Sequence, residues 1–242
     1  MRDDMTAGFS GKVVLVAGGT GGLGSAVSLA FLEEGARVIV TYRNREEFAA
    51  LADAAGANSP LEGHPVDVLD ESGVGQFIDR VIANHARLDA MVNTVGGYAG
   101  GVKLWDLDTK VFDRMIALNL RAGLLLSRAA IPAMLKAKRG VIVNVASKAA
   151  VEHTAGDAAY AASKAGALAM MDSLAGDLKG TGVRVNSVLP GIIDTEANRK
   201  AMPGADFAKW PKPQDIARVI LFLCSDAAKV IHGAALPVYG DN

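Results

Sequence analysis

The stretch Val13–Ala17 (VVLVA) runs directly into Gly18–Gly24 (GGTGGLG), and this junction decides the fold. Five apolar residues in a row predict a buried strand, and the residues after the glycines predict an amphipathic helix. In such a strand–turn–helix unit, backbone amides at the helix N-terminus face a pyrophosphate, and the missing side chains permit close approach. A glycine string alone is a weak signal, because turns and helix caps collect glycine. Its position between a strand and a helix is the context that a dinucleotide site requires.

Beyond the turn, short apolar runs alternate with longer periodic ones to the end of the chain. The predicted strands are Val13–Ala17, Arg37–Tyr42, Leu61–Asp67, Leu88–Asn93, Val141–Ala146, Val183–Leu189 and Ala234–Val238. After the helix that follows the glycines, the predicted helices are Glu46–Ala55, Glu71–Ala86, Thr109–Lys136, Ala158–Lys179 and Pro213–Cys224. This alternation predicts an α/β fold, a doubly wound parallel sheet of about seven strands with helices on both faces. No linker or repeat interrupts it, so we expect residues 1–242 to form a single NAD(P)-binding Rossmann domain.

Composition excludes several classes of protein. The chain has 25 Lys and Arg against 26 Asp and Glu, a net charge of −1, which lacks the basic footprint of a nucleic-acid binder. The single cysteine, Cys224, cannot form an internal disulfide, and its apolar context favours a small buried side chain. The segment Met1–Lys12 lacks the apolar stretch of a signal peptide, and no run approaches 18 uninterrupted apolar residues. We therefore expect a cytoplasmic protein with no membrane span, and we predict no metal site.

A tyrosine and a lysine four residues apart, Tyr160 and Lys164, are the candidate chemical centre. On a helix they share one face, and a cation beside a phenol lowers the phenol's pKa from its free value of about 10. Such a tyrosine can exchange protons near neutral pH, as carbonyl reduction or alcohol oxidation requires. Ser147, thirteen residues upstream, supplies a hydroxyl for the oxygen on which charge changes.

The spacing Gly18-x-x-x-Gly22-x-Gly24, read with Ser147, Tyr160 and Lys164, resembles the short-chain dehydrogenase/reductase family. The resemblance covers nearly the whole chain. It implies that Tyr160 is the acid/base, that Lys164 holds the ribose hydroxyls and tunes Tyr160, and that Ser147 orients the substrate oxygen. It also implies that Asn119 bends its helix and supports a proton relay.

The same resemblance implies a set of cofactor contacts. The segment Asn93–Gly96 (NTVG) is similar to the family's Asn-Asn-Ala-Gly, with Thr94 and Val95 as departures. The predicted contacts are Gly18, Thr20, Gly22, Leu23, Gly24, Asp67, Val68, Asn93, Gly96, Tyr160, Lys164, Pro190, Gly191, Ile193 and Thr195.

The end of the second predicted strand indicates which nicotinamide cofactor is preferred. An acidic residue about 20 positions past the glycines accepts the 2′-hydroxyl of NAD. Thr41–Arg45 (TYRNR) contains no acid, and Arg43 can pair with a 2′-phosphate through its planar guanidinium. The alternative is that Arg43 is an ordinary surface arginine. We predict that NADP(H) is preferred over NAD(H).

Two segments are candidates for substrate contact. Gly96–Gly101 (GGYAGG) is a glycine-framed aromatic segment that we expect to be mobile, and a flap is expected over about residues 192–212. Both are similar to segments of quinonoid dihydropteridine reductase, a member of the family, and the similarity implies that Tyr98, Phe207 and Trp210 contact substrate. The chain departs from that enzyme in keeping Ser147 and in lacking an acid after the second strand.

These residues leave three functions open. The favoured one transfers hydride between the nicotinamide and a small-molecule carbonyl or secondary alcohol, and the first alternative reduces a quinonoid dihydropterin. The second alternative is a non-catalytic NAD(P)-sensing module. Family members commonly pair the two long helices, so we expect a homo-oligomer, a tetramer or a dimer. The residues expected to add to the paired surface are Val151, Met170, Met171 and Leu174.

Overall fold

The computed structural model describes residues 8–241 of the chain. They form one seven-stranded sheet in which every paired neighbour runs parallel. The strands are β1 (Val13–Ala17), β2 (Arg37–Tyr42), β3 (Leu61–Pro65), β4 (Ala90–Asn93), β5 (Gly140–Val145), β6 (Val183–Pro190) and β7 (Ala235–Val238). Their order is β3-β2-β1-β4-β5-β6-β7. The predicted Rossmann fold is confirmed.

Helices cover both faces of the sheet. They are α1 (Gly22–Glu33), α2 (Arg45–Ala55), α3 (Glu71–His85), α4 (Thr109–Ile116), α5 (Ala122–Ala137), α6 (Ala158–Asp177), α7 (Glu196–Ala201) and α8 (Pro213–Cys224). One apolar core lies between the sheet and α3, α5 and α6, and the other lies between the sheet and α1, α2 and α8. Because both faces are covered, β1 and β4 are buried at every position, which explains the uninterrupted apolar sequence of β1 and the apolar residues of β4 before Asn93.

The strand order reverses between β1 and β4, which are neighbours in the sheet although β2 and β3 intervene in the chain. Ligands of open α/β sheets bind at such a switch point, outside the carboxyl ends of the strands. The glycine turn follows β1, Asn93 ends β4, and Ser147 follows β5. The fold therefore brings the predicted site residues to one edge of the sheet.

The predicted helix Thr109–Lys136 is continuous but not uniform. A π-helical turn, Ala117–Arg121, separates α4 from α5, and Asn119 lies buried within it. Such turns place an extra residue in the helix and often occur at functional sites. The run Thr109–Ala137 is long and apolar enough to cross a membrane by length and composition. Because its buried side chains belong to a core cluster under the sheet, we interpret the run as a core helix.

Three boundaries differ from the sequence prediction by two residues, and several others differ by one. The third strand ends at Pro65 rather than Asp67, because proline offers no backbone N–H to continue a ladder. The fourth begins at Ala90 rather than Leu88, after a turn in which the Asp89 carboxylate accepts a hydrogen bond from Val13 N at 2.8 Å. Helix α6 ends at Asp177, two residues before the predicted end at Lys179.

Candidate active site

The glycine turn after β1 is built from close backbone approaches. Gly18 has a φ of +74°, and its N–H donates to Thr41 Oγ1 at 2.9 Å. A Cβ on Gly24 would overlap the carbonyl oxygen of Gly18, and one on Gly19 would lie 2.5 Å from Val40 Cγ1. Any side chain at these positions must displace backbone or core atoms. The turn therefore requires glycine for packing, and the missing side chains permit the close approach of a phosphate.

Thr94, a departure from the family pattern, supports this turn. Its hydroxyl donates to the carbonyl of Ala17 at 2.8 Å and also lies 3.1 Å from that of Gly18. Beside it, Asn93 Oδ1 accepts from Val95 N at 3.2 Å, and Asn93 Nδ2 donates to Asn144 Oδ1 at 2.9 Å. The substitution at Thr94 therefore keeps a polar link between the ends of β1 and β4.

A cavity of about 230 Å³ lies beside the glycine turn. Of the predicted cofactor contacts, it is lined by Gly18, Thr20, Arg43, Asp67, Val68 and Gly96. Glu47 also lines it and accepts a hydrogen bond from Thr20 Oγ1 at 3.0 Å, a contact that we did not predict. The sequence signal for this contact is an acid in the first turn of the helix after the second strand, two residues past the run Thr41–Arg45. The cavity and the glycine cradle fit a nucleotide.

Thr195, predicted to contact the nicotinamide end, lies on the other side of the turn. A Cβ on Gly22 would come 2.8 Å from Thr195 Cγ2, so the segment after β6 approaches the start of α1. The Thr195 hydroxyl caps α7 by accepting from Asn198 N at 3.2 Å. Pro190, Gly191 and Ile193 precede Thr195 at this edge of the sheet.

The three residues predicted to carry chemistry are brought together. Ser147 lies close enough to Tyr160 for its hydroxyl to lower the pKa of the phenol, and Ser147 Oγ accepts from Ala149 N at 3.1 Å. Lys164 is buried, and its Nζ donates to the carbonyl oxygen of Val145 at 3.1 Å. The same Nζ lies 6.0 Å from the centroid of the Tyr160 ring.

The prediction that Lys164 lowers the pKa of Tyr160 below its usual value is wrong for this geometry. Burial raises the pKa of Tyr160 above its usual value, the Ser147 hydrogen bond acts in the opposite direction, and the Asp157 carboxylate raises it further. Burial also lowers the pKa of Lys164 to about 8. Tyr160 therefore holds its proton at neutral pH, and burial rather than the lysine dominates.

Asn119 links the π-helical turn to the segment after β4 and to helix α6. Its Nδ2 donates to the carbonyl of Gly97 at 3.0 Å and to Ser163 Oγ at 2.9 Å, and its Oδ1 accepts from Gly97 N at 2.9 Å. A Cβ on Gly96 would lie 2.9 Å from Asn119 Oδ1 and 3.1 Å from Lys164 Nζ. The asparagine thus fixes the segment after β4 against α6.

Hydrogen bonds hold two residues of the segment Gly96–Gly101, Gly97 and Tyr98. Besides the Asn119 contacts to Gly97, the Tyr98 hydroxyl donates to Asp157 Oδ1 at 2.9 Å. The Tyr98 ring meets the Tyr160 ring edge to face, with centroids 5.0 Å apart and planes at 78°. Tyr98 is nonetheless 64% exposed, so a molecule at Tyr160 can reach it.

The flap, about residues 192–212, contains α7 and is stabilised by contacts among its own side chains. Asp194 forms a two-point ion pair with Arg199, whose guanidinium lies 4.9 Å from the centroid of the Phe207 ring. Phe207 packs on Trp210 with centroids 4.9 Å apart, and Trp210 is buried. The structure shows Tyr98 in contact with Tyr160, whereas the contacts of Phe207 and Trp210 are to the flap itself.

Among residues 8–241, no group of three or more His, Cys, Asp or Glu side chains is placed to hold a metal ion. Cys224 is buried, and burial raises the pKa of its thiol to about 12, so it is an inert core residue.

Known proteins match this chain over nearly its whole length. A family model described as short chain dehydrogenase matches residues 12–206. The chain is 31% identical over 241 residues to the 3-oxoacyl-(acyl-carrier-protein) reductase FabG of Thermotoga maritima, covering 96% of this chain and 98% of the relative. It is 35% identical over 242 residues to the D-threitol dehydrogenase of Mycolicibacterium smegmatis, covering 96% and 93%. The solved structure of ElxO with NADP bound matches with a TM-score of 0.87 and 26% identity, covering 95% of this chain and 97% of that one.

Proposed function

The chain belongs to the short-chain dehydrogenase/reductase family, and from that premise we propose that it interconverts a ketone and a secondary alcohol, with Tyr160 exchanging the proton. Membership makes it an NAD(P)-dependent oxidoreductase. The observation that carries the finer proposal is the closeness of the Tyr160 and Ser147 hydroxyls, through which Ser147 lowers the pKa of Tyr160, beside the buried side chain of Lys164. Two hydroxyls that meet above a switch point can bind one substrate oxygen between them.

In the proposed reaction, the nicotinamide supplies hydride to the carbonyl carbon in reduction and accepts it from the alcohol carbon in oxidation. Tyr160 gives its phenolic proton to the substrate oxygen in reduction, and its raised pKa keeps that proton in place at neutral pH. Ser147 donates to the same oxygen and stabilises the charge that develops there. Lys164 stabilises the phenolate that remains, and Asn119 holds the loop that covers Lys164.

We propose that the cofactor lies along the glycine turn, with the adenine end in the cavity beside Asp67 and Val68 and the nicotinamide end near Thr195. The leucine of the turn, Leu23, is buried and fixes the first turn of α1. NADP(H) is the proposed preference, supported by Arg43 in the cavity lining. Glu47 opposes this preference, because a carboxylate beside a phosphate costs electrostatic energy.

A quinonoid dihydropterin is the second candidate substrate. The exposed ring of Tyr98, edge-on to Tyr160, favours it because a flat conjugated molecule can stack there. Phe207 and Trp210 enter this proposal only through the shape of the flap, since both pack within it. A catalytically silent sensor remains the third reading, and it has no use for a phenol, a serine hydroxyl and a buried lysine grouped together.

We also propose that copies of the chain associate as a tetramer or dimer in the cytoplasm. A groove of about 300 Å³ between α5 and α6 is lined by Leu124, Ile131, Met170 and Leu174. Val151 is half exposed and adds to the apolar surface, whereas Met171, expected at that surface, lies in the core because it points under the sheet. Light scattering that returns the mass of one chain would contradict the association.

Turnover with a substrate panel tests the function. NADPH or NADH is combined with simple ketones, β-ketoacyl thioesters and freshly generated quinonoid dihydropterin, and cofactor oxidation is followed by absorbance. The expected result is NADPH oxidation with a ketone, abolished in Tyr160→Phe. Turnover confined to the dihydropterin supports the second candidate, and cofactor binding without turnover of any compound supports the sensor.

A further inference from the structure

Asp157 begins helix α6 but does not cap it. An aspartate at this position normally accepts a hydrogen bond from the backbone of the first helical turn. Asp70 and Asp108 do so at the starts of α3 and α4. Asp157 makes no such bond, and its backbone, with φ of −106° and ψ of 21°, departs from the extended geometry of the other two. Its carboxylate is turned toward another group.

That group is Tyr98, which reaches Asp157 from the segment after β4. The Tyr98 hydroxyl donates to Asp157 Oδ1 at 2.9 Å, and the Tyr98 ring packs edge to face on the ring of Tyr160. Asp157 lies three residues before Tyr160, which is one helical turn, so both side chains face the same loop. The three residues form one connected cluster.

Two glycines make room for the cluster. A Cβ on Gly100 would overlap both the Asp157 carboxylate and the Tyr98 hydroxyl. Gly156 has a φ of +89°, and its carbonyl accepts from Val102 N at 3.2 Å, which ties the two loops together. The chain is therefore shaped around the contact between Tyr98 and Asp157.

The charges that face Tyr160 are few. Asp157 and Lys164 approach it from α6, the uncharged Ser147 hydroxyl approaches it from the turn after β5, and the Tyr98 phenol approaches it from the loop after β4. Burial raises the pKa of both phenols most, and the Asp157 carboxylate raises both further. Tyr98 therefore stays protonated and keeps donating to Asp157.

We propose that Asp157 and Tyr98 are a positioning pair for the proposed catalytic acid: they fix the Tyr160 ring against the loop, and the Asp157 charge holds the phenolic proton on Tyr160 until a substrate oxygen takes it. The inference rests on the proposed function and adds two positioning residues to it. It assigns to Asp157 a role that a helix cap alone does not require.

The effect on pH dependence has a definite sign. Reduction requires protonated Tyr160, so reductive kcat/KM falls as pH rises through the pKa of Tyr160. A negative charge nearby disfavours the phenolate, so its removal lets the phenolate form at lower pH. In Asp157→Asn, the fall in reductive kcat/KM therefore begins at lower pH, and the rise in oxidative kcat/KM also begins at lower pH.

Asp157→Asn is the main variant, since it removes the charge and keeps an oxygen for Tyr98. In the alkaline limb its reductive kcat/KM is expected to be roughly three- to tenfold below that of the parent protein, with little change at lower pH. Asp157→Glu, which restores the charge, recovers most of the parent profile. Asp79→Asn removes one exposed aspartate from α3 and serves as the matched control with an unchanged profile. Gly100→Ala, which forces Tyr98 and Asp157 apart, lowers kcat roughly three- to tenfold while cofactor affinity stays constant.

A direct titration separates failure of this inference from failure of the proposed function. The chain has four tyrosines, and the difference in phenolate absorbance between the parent and Tyr160→Phe isolates Tyr160 in the presence of cofactor, with or without turnover. The expected result is that Asp157→Asn moves this ionisation to lower pH. An unmoved ionisation overturns the inference even if Tyr160→Phe abolishes activity. A moved ionisation in a protein that turns over no substrate supports the pair and contradicts the proposed function alone.

Discussion

The nucleotide half and the proton half of the site lie on the same edge of the sheet, but they are built differently. The nucleotide half depends on absent side chains, since Gly19 and Gly24 pack where a Cβ would overlap backbone or core atoms. The proton half depends on side chains that are present, with Tyr160, Ser147 and Lys164 converging from two segments. We therefore expect added side-chain atoms to impair the nucleotide half, and removed functional groups to impair the proton half.

The difference teaches how each half tolerates change. A backbone cradle binds through amides that every residue carries, so its sequence requirement is a steric one. In a cluster of side chains each functional group has chemistry that its neighbours cannot replace. The loss of a single atom therefore removes that function. Variants of the two halves should therefore separate binding from turnover.

Removal of one oxygen from the proton half gives the largest expected effect. Tyr160→Phe lowers kcat by about 10³-fold, within the range of general acid–base catalysis, because Ser147 hydrogen-bonds the substrate oxygen but does not transfer a proton to it. Cofactor affinity, measured by fluorescence titration, stays within about twofold, because the ring and its packing on Tyr98 remain. A variant that loses affinity and turnover together would show that the two halves are not separable.

Addition of one methyl group to the nucleotide half gives the next largest effect. In Gly24→Ala the new Cβ meets the carbonyl of Gly18, which is backbone and cannot turn aside. We expect cofactor affinity to fall about 10- to 100-fold and unfolding free energy to fall by about 1–3 kcal/mol. Gly21→Ala is the matched variant, since its Cβ lies at an ordinary 3.6 Å from Gly18 O. Equal losses of unfolding free energy in the two variants would contradict the steric account.

The nucleotide half was largely predictable from the sequence. The glycine spacing and the apolar strand before it required only periodicity, and β1 and β2 have the predicted bounds. Prediction failed where a contact depends on how two distant segments meet. Glu47 reaches the turn through its bond to Thr20 across 27 residues, and no local pattern reports this distance.

The proton half was predictable in its members but not in its electrostatics. The four-residue spacing predicted that Tyr160 and Lys164 share one helix face. It did not predict the 6.0 Å between Lys164 Nζ and the centroid of the Tyr160 ring, or the burial that dominates the pKa of Tyr160. Asp157 was readable as an acid one helical turn before Tyr160. Its bond to Tyr98 spans 59 residues and depends on the missing side chain of Gly100.

The buried cation of the proton half has a smaller effect, on stability, that depends on pH. Lys164 has a pKa of about 8 in the folded protein, lowered by burial from 10.5. Below about pH 8 it is protonated in both states, so the full cost of burying the charge opposes folding. Between about 8 and 10.5 the folded state loses the proton while the unfolded state keeps it, so stability rises with pH.

Lys164→Met removes this dependence. The unfolding free energy of the variant relative to the parent should fall by about 2 kcal/mol between pH 7 and pH 9.5. Urea unfolding at the two pH values measures it, and the difference between the proteins cancels the titration of other groups. The lost hydrogen bond to Val145 shifts both values equally. A difference that stays constant with pH would show that the pKa of Lys164 is not lowered in the folded protein.

The smallest expected effect concerns two charged side chains that line the cavity of the nucleotide half. Arg43 and Glu47 line the same cavity with opposite charges, so they should act oppositely on a 2′-phosphate. Arg43→Ala raises KM for NADPH about tenfold and leaves KM for NADH within about twofold, because only the phosphate loses its partner. Glu47→Gln is the matched variant and lowers KM for NADPH, since it removes a like charge while keeping a group that can bond to Thr20. If Arg43→Ala weakens both cofactors equally, Arg43 supports the shape of the cavity rather than the choice of cofactor. The choice between NADPH and NADH would then not depend on the charge of Arg43.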